Sequence, residues 1–242
     1  MPKGNLVAIA LTVLGVVILG GFYLITRPGP APDPAVVTQT ETESEAATEA
    51  DTPAEAEPAP DTATAEPAVE VPGDPPGPYI TITVDGQFTE GEITIDLLQD
   101  IAPKHAAQIT QLARDGFYDN VYFHRVIDGF MAQTGDGQFG KVGADPRRAG
   151  TGGSELPDLE AEFSEVPFER GIVGMARSQD PNSANSQFFI MFDEGAFLNG
   201  QYTVVGRVTE GLDVLDFIKR GDSSTLQVTG EPDRIEKVVV TE

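Results

Sequence analysis

Residues Tyr122–Asp136 read YFHRVIDGFMAQTGD, and this stretch decides the fold. It carries two short apolar runs, Val121–Ile127 and Phe130–Gln133, with one cation, Arg125, directly after His124. Short runs rich in β-branched and aromatic residues read as strands. The same kind of run recurs outward in both directions. Upstream, Tyr79–Val84 (YITITV) and Glu92–Leu97 (EITIDL) alternate apolar with polar residues around Gly86 and Gly91, which predicts a hairpin. Downstream lie Ile172–Ala176, Gln187–Met191, Thr203–Val208 and Ile235–Val240. Only two stretches have helical spacing. Pro103 opens one that runs to Asp115 with Gly116 as its stop, and Leu212–Lys219 is the other, with Gly221 after it. Many short strands, Gly-rich turns and two helices predict a mainly β fold, a closed antiparallel barrel. The long stretch Gly135–Pro167 is poor in apolar residues and reads as a functional or lid-like loop.

The chain has three parts on this reading: 1–27, 28–78 and 79–242. Asn5–Thr26 is 22 residues without a charge, flanked by Lys3 and Arg27. A helix of that length matches a hydrocarbon core of roughly 30 Å. It is longer than the apolar stretch of a signal peptide and lacks an A-x-A-like cleavage site, so a retained single-pass anchor is expected, with secretion after cleavage as the alternative. The slight excess of positive charge before the span places the bulk of the protein on the extracytoplasmic side. Pro28–Pro78 holds 12 acidic residues, no Lys or Arg and 12 of the 19 prolines. Too little apolar surface is present to offset the entropy of ordering, which predicts a disordered, extended linker.

Composition removes several classes of function. With 39 acidic against 15 basic residues the formal net charge is −24, which argues against binding nucleic acid. There is no cysteine, hence no disulfide, thiol nucleophile, Cys-based metal site or lipoprotein anchor. Two distant histidines, His105 and His124, make no metal site. Gly135–Gly140 (GDGQFG) matches G-x-G-x-x-G in form, but no helix follows to meet a pyrophosphate. A Ser-His-Asp set drawn from His124 and Asp136 has no nucleophile elbow. Arg147–Arg148 reads as a solvated pair.

Four segments carry a resemblance: Tyr122–Asp136, Gly150–Glu155 (GTGGSE), Gly174–Phe192 (GMARSQDPNSANSQFFIMF) and Phe197–Arg207 (FLNGQYTVVGR). In FHRVIDGFMAQ followed by NSQFFI, residues 79–242 resemble the cyclophilin family of peptidyl-prolyl cis-trans isomerases. The resemblance implies an eight-stranded closed antiparallel barrel capped by two helices, a shallow groove that takes X-Pro segments of client proteins, no cofactor and a monomeric catalytic domain. It places Arg125 on the catalytic arginine. Phe130, Met131, Gln133, Ala176, Gln187, Phe189 and Leu198 fall on substrate-contacting positions. Arg177 stands where the family often has Asn, at a position that binds peptide through its backbone. Phe197 stands where many members have Trp and Tyr202 where many have His, which implies weakened cyclosporin binding and an altered rate or preference.

The residue types suit that chemistry on their own terms. Rotation about a peptide bond meets a barrier of about 18–20 kcal/mol from amide resonance, and an uncatalysed X-Pro bond takes tens of seconds or more to turn. A catalyst needs only to bind the twisted amide better than either planar form. An apolar slot from Phe130, Met131, Phe189 and Leu198 would grip the ring, while the fixed charge of Arg125 stabilises the lone pair that appears on nitrogen. Gln133 is placed to orient that guanidinium. His124 reads as structural, since no proton is transferred. Two other functions compete: a module of the same fold that captures proline segments without turnover, and a stalked domain with an inert groove.

Overall fold

The computed structural model describes Val71 and residues 74–242. The apolar run Asn5–Thr26 and most of the segment 28–78 lie outside the described residues. Among the described residues no helix is long and apolar enough to cross a membrane.

The predicted hairpin is formed by β1 (Tyr79–Asp85) and β2 (Glu90–Leu97). Its register sets Ile80 against Ile95 and Ile82 against Ile93, all four buried, because alternation sends every second side chain inward. Seven further strands follow: β3 (Val121–Tyr122), β4 (Arg125–Ile127), β5 (Met131–Thr134), β6 (Ile172–Met175), β7 (Phe188–Met191), β8 (Val204–Glu210) and β9 (Arg234–Thr241). They make one nine-stranded antiparallel sheet in the order β3-β9-β1-β2-β8-β6-β7-β5-β4.

The expected eight strands become nine because the run Val121–Ile127 is interrupted. At the break, Phe123 N donates to Asp233 O (2.9 Å) and His124 O accepts from Val228 N (3.1 Å), so the middle of the run bonds to irregular backbone instead of a ladder. The two ends of the sheet, β3 and β4, are therefore halves of one stretch of chain joined through Phe123 and His124. The sheet curls as a half-barrel where a closed barrel was expected: among the described residues no ladder joins β3 to β4.

Helix α1 (Pro103–Arg114) has no side-chain cap of its own at Ala102. Glu162, from the long loop, serves instead: its carboxylate accepts from Lys104 N (3.1 Å) and His105 N (3.1 Å) and meets His105 Nδ1 at 2.6 Å. An anion there satisfies free N–H groups and faces the positive end of the helix dipole. Helix α2 (Leu212–Phe217) stops before the predicted Lys219, with Thr89 Oγ1 donating to the Phe217 carbonyl (2.6 Å).

Apolar residues form two clusters on opposite faces of β5–β7. Val126, Ala132, Phe188, Ile190 and Val173 belong to the interior core. Met131, Phe189, Met191, Ile172 and Leu198 form a second cluster on the outer face. This explains why Phe188–Met191 reads FFIM without alternation: both faces of the strand are covered. Val71 joins the outer cluster, and the chain just before β1 is also tied down. Gly77 N donates to Asp96 Oδ1 (2.8 Å), Gln99 Nε2 to Gly77 O (2.7 Å), and Asp100 N to Asp74 Oδ1 (2.8 Å).

Candidate active site

The outer cluster is the floor of a concavity. Antiparallel pairing places Arg125 opposite Gln133, Gln133 opposite Phe189, and Phe189 opposite Gly174, so one row crosses β4, β5, β7 and β6. Met131, two residues before Gln133, lies on the same face. At the end of this row Ala176 and Arg177 leave β6, while Phe197 and Leu198 arrive on a single 3₁₀ turn (Ala196–Leu198) with Tyr202 shortly after. Together with Phe130 these residues line one cavity of about 230 Å³.

Ten of the eleven residues singled out in the sequence meet there. The exception is Gln187. It lines an adjoining, more polar cavity of about 540 Å³ that shares Gln133, Ala176 and Arg177 with the first. Gln187 reaches the slot through a relay. It receives a hydrogen bond from Gln133 Nε2 at its Oε1 (2.9 Å), and its own Nε2 donates to the carbonyls of Gly150 (3.1 Å) and Gly152 (2.8 Å). Gln133 in turn accepts from Arg125 Nη1 at 3.2 Å. The guanidinium is thus oriented through two amides by the loop around Gly150–Glu155. Its Nε and Nη2 have no hydrogen-bond partner among the described residues. Partial burial lowers the pKa of Arg125 from its ordinary value, and an arginine remains a cation at neutral pH.

The walls of the slot are aromatic. Phe130 and Phe197 lie with ring centroids 5.3 Å apart, and Tyr202 meets Phe189 edge-on at 5.9 Å. Phe197 is 65% exposed and rests on Phe130 at the rim. His124, next to Arg125, lines a different cavity and is 3% exposed. Burial lowers its pKa, so it sits neutral, in keeping with a structural role.

Three contributors escaped the sequence reading. Phe168 is buried and stacks on Phe189 at 5.7 Å, fixing the floor from behind. Gly174 is needed for that packing, since a Cβ there would lie 2.4 Å from Phe189 Cζ and 2.6 Å from Phe168 Cε1. Asp136, fully buried, accepts from the backbone N–H groups of Gln138 (3.1 Å) and Phe139 (2.8 Å) at Oδ1, and of Gly150 (2.8 Å) and Gly152 (3.0 Å) at Oδ2. Those bonds set the two carbonyls that Gln187 holds. An Asp followed by glycines was the available signal, but its partners lie up to 16 residues away.

A guanidinium beside an aromatic slot of this size, on the outer face of a curled antiparallel sheet, fits a peptide segment and needs no proton transfer. Comparison with known proteins agrees. Residues 79–240 match the family model described as cyclophilin type peptidyl-prolyl cis-trans isomerase/CLD. The chain belongs to the cyclophilin family. A probable peptidyl-prolyl cis-trans isomerase of Brucella suis is 58% identical over 160 residues, which covers 65% of this chain and 82% of that protein. A peptidyl-prolyl cis-trans isomerase of Helicobacter pylori is 39% identical over 148 residues, covering 60% and 82%. Among solved structures, a cyclophilin-type isomerase of Cryptosporidium parvum, determined in the presence of the dipeptide Ala-Pro, shares 27% identity with a TM-score of 0.56 over 68% of this chain and 99% of that one. A cyclophilin of Hirschia baltica shares 28% identity with a TM-score of 0.53, covering 66% and 73%. This cyclophilin is thus a mainly β domain with two helices, and its relatives are isomerases of X-Pro bonds.

Proposed function

We propose that this cyclophilin-type isomerase turns X-Pro bonds in the slot between Arg125 and Phe189, with Arg125 as the catalytic group and the aromatic walls as the proline grip. The observation that carries the reading is the shared cavity, in which the Arg125 guanidinium, with donors left free, adjoins Phe130, Met131, Phe189 and Leu198. As the amide twists, resonance breaks and the prolyl nitrogen gains a lone pair. A guanidinium already oriented by Gln133 stabilises that state without reorganising, which is where such stabilisation is most effective. Gln133 and Gln187 are positioning residues. The groove takes proline-containing segments of client proteins, and turnover assists their folding.

Line-broadening exchange on a short Ala-Pro peptide tests this. Wild-type protein is expected to accelerate interconversion, and Arg125→Ala to lose about 10²–10³ of that rate, the magnitude typical of removing one such donor. Binding without acceleration in the wild type would instead identify a capture module.

The proposal extends to the whole chain as a single-pass protein: an anchor at 1–27, a linker over 28–78 and a monomeric catalytic domain on the extracytoplasmic side. Its support is the uncharged 22-residue run and the acidic, proline-rich composition that follows. Mass spectrometry of the native N-terminus, with membrane fractionation, decides between a retained anchor and secretion after cleavage.

A further inference from the structure

The slot is cationic in a strongly acidic protein. Its lining contains two guanidinium groups, Arg125 and Arg177, and no carboxylate, although the chain carries 39 acidic against 15 basic residues. Arg177 lies on the ridge that the slot shares with the neighbouring polar cavity. That cavity is lined by only one acid, Asp158, which is engaged with Asn185 Nδ2 (2.9 Å).

The Arg177 side chain is held by uncharged groups. Nε and Nη2 donate to Gln201 O (3.3 and 3.0 Å), Nη1 donates to Ser178 O (2.9 Å), and the guanidinium carbon lies 4.4 Å from the centre of the Tyr202 ring. None of the ion pairs among the described residues involves Arg177. Its charge is therefore fixed in place and not neutralised by a carboxylate. A peptide whose proline enters the slot and whose chain crosses to the second cavity passes this charge within a residue or two of the X-Pro bond.

We infer that Arg177 sets a substrate preference: client segments with an acidic side chain within two residues of the proline are turned over faster than basic ones. The inference rests on the isomerase reading above. It assigns Arg177 a role through its side chain, acting as a positioned charge beside the slot. Since most of its N–H groups are already occupied, the effect is mainly electrostatic attraction, comparable with that of a partly exposed ion pair.

The test uses the intact protein and blocked peptides centred on Ala-Pro, with Glu, Gln or Lys walked through the two positions on either side. At one of these positions Glu is expected to exceed Lys in kcat/KM by about two- to fivefold at low salt. The advantage shrinks as ionic strength passes about 0.1 M, where screening reaches roughly 10 Å. Arg177→Gln should erase the preference, and Arg177→Glu should reverse it in favour of Lys. Equal rates for Glu and Lys at every position in the wild type would overturn the inference with no variant needed. So would a Glu preference that survives in Arg177→Gln. Failure of the wild type to accelerate the neutral peptide would remove the isomerase reading as well, which separates the two failures.

Discussion

Gly174 faces Phe189 across the β6–β7 ladder, and the space above its Cα is occupied by the edges of Phe189 and Phe168. Gly174→Ala should therefore push Phe189 into the slot. The expected outcome is a loss of about 1–3 kcal/mol in stability, as for other overpacked cores, with a larger proportional loss of isomerase activity. Urea unfolding and peptide exchange on the same sample would check both. At this scale the sequence was legible wherever function is local in the chain. Arg125, Phe130, Met131 and Gln133 fall within nine residues, and hydrogen-bonded pairing turns that spacing into one face. Phe168 and Gly174 were not legible as contributors, because each matters through Phe189, a residue on another strand.

Among the elements, the stretch Gly135–Pro167 departs most from its outward appearance. It reads as a loop, and apart from one 3₁₀ turn (Pro146–Arg148) and short bridges it is one. Yet it is held by a buried carboxylate, Asp136, with four backbone donors, and by Asn185, whose Oδ1 accepts from Ser154 N and Ser154 Oγ (both 2.7 Å). The loop thereby becomes the support for the Gln187–Gln133–Arg125 relay. Asp136→Ala should leave those N–H groups buried without a partner, costing about 1–3 kcal/mol or more. The relay would loosen too, so activity on Ala-Pro peptides should fall more than the folded fraction does; circular dichroism alongside the exchange assay separates the two. The strands and α1 were readable within a residue or two from periodicity alone. The break at Phe123–His124 was not, since it is caused by Asp233 and Val228, more than 100 residues further on.

At the scale of the whole molecule, pH acts on stability before it acts on catalysis. Burial lowers the pKa of both His105 and His124 below 6.5, so the folded state binds their protons less readily than the unfolded chain does. Well above 6.5 both histidines are neutral in either state and cost nothing. As pH falls below 6.5 the unfolded chain takes up protons that the folded state refuses, and stability declines until the lowered folded values are reached. Urea midpoints should drop over that range, and the slope should be blunted in His124→Gln. Turnover per folded molecule should stay flat from pH 6 to 8, because the slot is lined by no histidine and no carboxylate. By itself the sequence determined the mainly β class and the order of strands and helices, because side-chain alternation and turn chemistry are local, and its motifs carried the family resemblance that named the residues of the slot. Only the tertiary structure decided how the sheet's ends lie, which carboxylate braces the long loop and that none of the ion pairs among the described residues engages Arg177. Those depend on which distant backbone and side-chain groups come within hydrogen-bonding reach, and no local pattern encodes such distances.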